Sequence, residues 1–238
     1  MESPVPTVGY ARDARRLMRL CDRVTLGTLT LDERRAYVSL AAVATDVDGA
    51  PLLLMSMLSD HTKNLAADPN ISMLFDGTAG YDNPQEGSRG TIMGRVGKVE
   101  GEDLARARRR YLARHPGAAM YADFGDFAFY RVAVERLHWV GGFGKAAWVS
   151  RPVPIEAGIA AAFAAAEPKL LERFARRGDR IAKRLKRSSG GWTLTALDPD
   201  GAVIAKGKKS LRLNFDETLA SPDQLDAALS GRAVKSSA

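Results

Sequence analysis

Between Val24 and Leu58 apolar and polar residues alternate in three short runs, each cut off by turn-forming residues. Val24-Thr25-Leu26-Gly27-Thr28-Leu29-Thr30 alternates and is rich in β-branched side chains, which suits a strand with one buried face. Leu31-Asp32-Glu33-Arg34 reads as a turn and Tyr37 to Val43 as a second strand. Asp46-Val47-Asp48-Gly49 reads as a hairpin turn in which Asp-Gly supplies the positive φ angles, and Leu52 to Leu58 as a third strand. Strands joined by such short turns pair antiparallel, so residues 24–58 are expected to form a meander.

The alternation returns further on. Ile71 to Phe75, Thr91 to Val99 and Phe127 to Val140 read as fourth, fifth and sixth strands. A helix over Tyr10 to Leu20 precedes them, with Tyr10, Ala14, Leu17, Met18 and Cys21 on one face and Arg12, Arg15, Arg16 and Arg19 on the other. A short helix opens at Ser59 and stops at Asp68-Pro69; an arginine-rich helix spans Glu102 to Arg114. Many short antiparallel strands with few helices predict an α+β fold, a six-stranded barrel with flanking helices.

Arg151-Pro152-Val153-Pro154 marks a boundary, giving a barrel domain over 1–150 and a small C-terminal α/β domain over 151–238. In the latter, Ile155, Ile159, Phe163 and Ala166 repeat at helical spacing and Pro168 starts a new helical turn. The apolar side continues through Leu170, Leu171, Phe174, Ile181 and Leu185, with arginines on the rest, until Ser188-Ser189-Gly190-Gly191. Trp192 to Leu197 and Ser210 to Phe215 read as a hairpin with an irregular second arm, and Ser221-Pro222 caps a last helix over Asp223 to Leu229.

Charge separates the halves as well. The net +7 of the 238-residue chain sits almost entirely in residues 151–238, where 16 Lys and Arg face 10 Asp and Glu. That face could dock an acidic partner or nucleic acid, but a charge run is usually a solvated face and the helix lacks base-stacking aromatics. Nucleic acid is therefore not expected. No apolar run approaches a membrane span, the start lacks a secretory pattern, and the single Cys21 cannot form an internal disulfide. A cytoplasmic protein without membrane contact is expected.

Chemistry-bearing motifs are few. Three histidines are too scattered to predict a metal site, and Gly-x-Ser-x-Gly is absent. Gly142-Phe143-Gly144-Lys145-Ala146-Ala147 matches a dinucleotide-binding pattern, yet no crossover helix fits before Pro152, so a glycine bend or bulge is the better reading. Met55-Ser56-Met57-Leu58-Ser59-Asp60-His61-Thr62-Lys63-Asn64-Leu65 says more. Here a strand feeds a helix whose first turn offers hydroxyls, a lysine and free N–H groups, an arrangement suited to a phosphate; Ser59 as a plain N-cap beside a solvated Lys63 is the alternative.

The stretch Leu58 to Ser72 resembles the helix-strand segment of the pyridoxamine-5'-phosphate-oxidase-like, FMN-binding split barrels, in particular their haem-utilisation (HugZ-type) branch. Arg110-Tyr111-Leu112-Ala113-Arg114-His115-Pro116, Gly125 to Arg131 and Val140 to Ala146 are further landmarks, so the resemblance spans about Arg15 to Trp148. The tail, with Leu197-Asp198-Pro199-Asp200-Gly201 and the helix after Ser221, resembles the small C-terminal domain of unknown function that accompanies this barrel. The resemblance implies a homodimer holding flavin mononucleotide (FMN), or haem in some members, at its interface. It implies Ser39, Ser56 and Thr91 on strands facing the flavin and Ser59, Lys63 and Asn64 at its phosphate.

One departure is pronounced. Haem-degrading members carry His-Met-Asn-x-Asp-His in the first helix of the C-terminal domain, where this chain reads Ala162-Phe163-Ala164-Ala165-Ala166-Glu167. No histidine follows His138, so that helix supplies no iron ligand, and His61 is a conceivable substitute. Trp148 is a loose candidate for stacking on a ring, and Asp126 a polar residue beside two aromatics. Three readings stand at this point: an FMN-dependent oxidoreductase of unknown substrate, a haem-binding or haem-utilisation protein, and a cofactor-free interaction module.

Overall fold

The computed structural model describes residues 7–149 and 155–231, with side chains from Gly9 onward. The boundary segment Arg151-Pro152-Val153-Pro154 and the first residues lie outside the described residues. The chain gathers into two compact units, divided after Pro154, with Leu112–Ala119 grouped with the second.

In the first unit, helix α1 (Thr7–Leu20) leads into β1 (Arg23–Leu29), β2 (Ala36–Thr45) and β3 (Pro51–Ser56), the expected meander. Helix α2 (Asp60–Ala67), β4 (Asn70–Gly77), β5 (Ser88–Lys98), α3 (Glu102–Arg114), β6 (Phe127–Val140) and β7 (Ala146–Val149) follow. The strand order is β3-β2-β1-β4-β5-β6-β7, and β3 also pairs with β6. That pairing closes a six-stranded antiparallel barrel, with β7 added as an extra strand on β6.

Alternation decides the inside. Leu26, Met73, Ile92 and Leu137 lie opposite one another across β1, β4, β5 and β6 and are essentially unexposed, forming one inward row of the core. Each such side chain contributes about 1.5–3 kcal/mol by leaving water. Between Met93 and Gly94 the β5–β6 register shifts, and a Cβ added to Gly94 would sit 2.1 Å from the Ala133 carbonyl oxygen. Only glycine fits that bulge.

Two local readings are corrected and a third is made specific. Arg15 and Arg19 are not on a solvated face of α1 but buried; the Arg19 guanidinium donates to the carbonyls of Asp46 and Val47 in the β2–β3 turn. That turn is a five-residue loop in which Gly49 (φ 98) has positive φ and Asp48 does not. The run Gly142 to Ala147 belongs to a β6–β7 hairpin, with Gly142 and Gly144 at positive φ and the Gly141 N–H donating to the Lys145 carbonyl. A strand of four residues after two glycines leaves too little alternation to read.

The second unit packs helices α4 (Ala157–Phe174) and α5 (Gly178–Arg184), a meander of β8 (Thr193–Asp198), β9 (Gly201–Lys206) and β10 (Lys209–Asn214), and helix α6 (Leu225–Ser230). α4 runs through Pro168, and the chain breaks at Ala175–Arg177 instead of continuing to Arg187. The break lets Gly178 approach the Trp192 carbonyl so closely that an added Cβ would lie 2.0 Å from its oxygen. The expected irregular arm is two strands: β9 is central and buried on both faces, so Ala202-Val203-Ile204 shows no alternation. Asp198 and Arg212, both buried, make a two-point ion pair at 2.7 and 2.9 Å within this unit. Ser221 caps the turn Pro222–Gln224 in a capping box, and α6 follows from Leu225.

Candidate functional site

α2 sits where β3 runs out. Ser56, the last residue of β3, is buried and donates its hydroxyl to Asp126 Oδ2 at 2.5 Å while accepting the Leu58 N–H at 3.1 Å. The Met57 N–H donates to the Asp126 carbonyl at 2.7 Å. Asp126 therefore ties the β3–α2 turn to the start of β6. This turn puts Met57 and Leu58, 48% and 74% exposed, on the surface just before the helix.

Within α2 the candidate residues divide by face. Ser59 is the N-cap, but its side chain makes no capping hydrogen bond. Lys63 is half exposed, 3.6 Å from Asp60, an exposed pair of little energetic consequence. Asp60 in the first turn also competes for the positive end of the helix that an incoming phosphate would use. Asn64 is buried and donates its amide to Thr28 Oγ1 at 3.0 Å, anchoring α2 to β1. Thr62 is buried beside it, and its hydroxyl has no hydrogen-bond partner among the described residues.

Ser39 and His61 are brought together. The Ser39 hydroxyl oxygen lies 3.2 Å from His61 Nδ1, joining β2 to the helix. His61 is half-buried; desolvation, partly offset by Asp60, holds its pKa below the ordinary histidine value, which favours the neutral ring.

Thr91 is elsewhere. It lies opposite Leu74 on β4 and His138 on β6, and Leu74 lies opposite Thr25, which pairs with Leu40. This is the outward row of the sheet, whereas Ser39 pairs with the inward-facing Leu26. The outward row continues onto β7, where the His138 and Trp148 rings pack 4.9 Å apart and Arg136 stacks over Trp148 at 4.4 Å. The Arg136–Trp148–His138 stack was not legible from sequence because β7 itself was not; its signal is the shared parity of residues 136 and 138 on β6.

The neighbouring groove, about 510 Å³, is lined by Gly27, Val38, Ser72, Met93, Gly94 and Glu135 among others. Among the described residues no cluster of three or more His, Cys, Asp or Glu could hold a metal ion. In the second unit, the stretch Ala162–Glu167 turns Phe163 and Glu167 inward, and Glu167 Oε1 accepts the Leu197 N–H at 3.0 Å. Its carboxylate is committed to holding β8.

A closed six-stranded antiparallel barrel of this order, with a short helix between β3 and β4, defines a split-barrel protein. More narrowly, the family model described as "CREG, beta-barrel" matches residues 6–155, and the chain belongs to that family. Non-canonical heme oxygenase HOZ, a chloroplastic protein of Arabidopsis thaliana, is 39% identical over 108 residues, covering 45% of this chain and 32% of that protein. The matched stretch thus spans about a third of that relative's length. A protein of unknown function from Agrobacterium tumefaciens has a similar fold, with a TM-score of 0.78 at 24% identity over 97% of this chain and 98% of that one. A heme binding protein from Mycobacterium smegmatis aligns with a TM-score of 0.58 at 26% identity over 97% of each chain. Among the described residues no helix is long and apolar enough to cross a membrane.

Proposed function

We propose that this protein binds haem. The observation that carries the reading is its alignment, over 97% of both chains, with a heme binding protein of the same architecture. The similarity of 108 residues to a heme oxygenase supports it independently. The barrel offers a planar, largely apolar ligand what it needs: exposed Val38 and Leu40 on the outward face, a groove lined in part by Gly27 and Gly94, and an aromatic-cationic stack at Trp148. Bound haem would supply an iron centre for oxygen or electron chemistry, while the protein sets its axial ligand and surroundings.

FMN is the second reading, supported by the helix N-terminus with Ser59 and Lys63. It would make the protein a flavin-dependent oxidoreductase. Both readings carry a homodimer formed through the outward barrel face. An absorbance spectrum of the purified protein, followed by titration with haem and with FMN, separates them. A Soret band with saturable haem uptake supports the first; yellow absorbance and a thermal shift with FMN alone replaces it with the second.

A further inference from the structure

We infer that the second unit binds single-stranded nucleic acid on the surface formed by α5, the loop that follows it and the β9–β10 turn. The inference is independent of the haem and FMN readings. The helix alone gives no reason to expect such a partner, because its arginines come without an aromatic ring. The fold supplies what the helix lacks.

From Arg180 to Lys209 every exposed charged side chain is basic: Arg180, Lys183, Arg184, Lys186, Arg187, Lys206, Lys208 and Lys209. The two acids of this stretch are buried. Asp198 is bound to Arg212, and Asp200 accepts the Thr218 hydroxyl at 2.7 Å. Arg184 is used within the unit, donating to the carbonyls of Ala228 and Leu229 at the end of α6. None of the other seven cations has an ion pair among the described residues, where the ion pairs of this unit join Arg177 to Asp226 and Arg212 to Asp198. A solvated face stabilises itself by setting acids one turn from its bases. This surface does not.

The fold gathers these cations. Asp179, in the first turn of α5, accepts the N–H groups of Gly190 and Trp192 at 2.8 and 3.0 Å, and Lys206 lies close enough for its charge to act on that carboxylate. The Lys206 stem runs past Gly191, where an added Cβ would lie 3.8 Å from its Cε. Lys206 also lies directly opposite Lys209 across the β9–β10 ladder, a like-charge pairing that costs stability until an anion sits between the two.

Trp192 supplies the ring. Thr193 pairs with Ala205, so Trp192 and Lys206 are the next opposed positions. Trp192 is half-buried, and its indole N–H donates to the Ser188 carbonyl at 3.0 Å, which fixes the ring. A fixed, part-exposed ring among lysines is a stacking platform for a base beside a track for phosphates. Exposed Ser188, Ser189 and Thr193 add hydroxyl donors. An anionic membrane fits less well, because no large apolar side chain of this unit is exposed among the described residues.

The test follows the fluorescence anisotropy of labelled oligouridylate and oligothymidylate, each about 16 nucleotides long, as full-length protein is added at several salt concentrations. Saturable binding to at least one of them is expected. The slope of log affinity against log salt should be about −3, as about four phosphate contacts on a single strand require. The triple variant Lys206→Ala, Lys208→Ala, Lys209→Ala should weaken binding at least tenfold and flatten the slope by about 2. Trp192→Ala should lower affinity about tenfold with the slope unchanged, and Trp192→Phe should recover most of that loss. A control that removes Arg23, Arg35 and Lys98, exposed cations of the barrel, by alanine substitution should bind as the wild type does. No binding, a flat salt response, or equal weakening by the barrel control overturns the inference. Uptake by phosphatidylserine vesicles without oligonucleotide binding overturns it in favour of a membrane surface.

Discussion

Arg106 grips Asp46 at two points, Nε to Oδ1 and Nη2 to Oδ2, both at 3.1 Å, on a carboxylate only 4% exposed. Arg131 approaches the same carboxylate at 3.4 Å and Arg110 at 4.0 Å, while Arg19 holds the backbone carbonyls of the same loop. The sequence places these arginines on α1, α3 and β6, so one acidic residue in a hairpin loop collects three elements. Arg131 also pairs with Asp48.

Removing that acid should be costly. Burial pushes the Asp46 carboxyl upward, but the Arg106 hydrogen bond, the charges of Arg110 and Arg106 and the Val47 N–H outweigh it and hold the pKa below the usual carboxylate range. A depressed pKa means the ionised form favours folding. Its contribution is complete above the unfolded value near ~4 and disappears as pH falls through the lower folded value. Asp46→Asn is expected to lower stability at neutral pH by about 3 kcal/mol, because buried arginines lose their counter-charge. Urea unfolding at pH 7 and at pH 3 should show the deficit shrinking at the lower pH.

Gly94 tests the bulge. A β-carbon there meets the Ala133 carbonyl oxygen, whereas Gly97, three residues along the same strand, has nothing within 4 Å. Gly94→Ala should destabilise the barrel by about 3 kcal/mol, the upper range for forced overpacking, while Gly97→Ala stays within about 0.5 kcal/mol. Parallel thermal melts of the two variants check the contrast, and equal melting points would contradict the bulge geometry.

Thr62 offers the reverse experiment. Its hydroxyl is enclosed without a partner among the described residues, and an unmade hydrogen bond in a buried site carries a desolvation penalty. Thr62→Val keeps the shape and removes the penalty, so a gain of about 1 kcal/mol is expected from denaturant midpoints. A loss of stability would mean that the hydroxyl has a partner.

Leu40 and Val38 are 66% and 65% exposed on the outward barrel face. If that face joins two copies, Leu40→Arg should yield monomers by light scattering where the wild type is dimeric. A monomeric wild type removes the dimer from both cofactor readings.

The meander and barrel were legible because period-two alternation survives wherever a strand has one wet face, as in β1 and β2. β9 lacked that signature because it is central and enclosed, and β7 because it is four residues long. At the site, Ser39, Ser56, Ser59, Lys63 and Asn64 lie on or beside the helix that drew attention. Their division of labour could not be read. Asn64 turns to Thr28, Ser56 to Asp126 and Ser39 to His61, all partnerships between residues distant in sequence. Arg19 misled because helical periodicity cannot foresee a hairpin loop folding over an apparently solvated guanidinium.

β6 borders β5 along most of its length, β3 over Phe127 to Arg131 and β7 over Leu137 to Val140. During synthesis the β3 edge therefore has no barrel partner until residues 127–131 leave the ribosome, some seventy residues after β3 itself. A nascent chain of this kind carries an open apolar edge for seconds at ordinary elongation rates of about 5–20 residues per second. Its passage to the native barrel is set by one late strand, and truncations ending before Phe127 should be captured by chaperones.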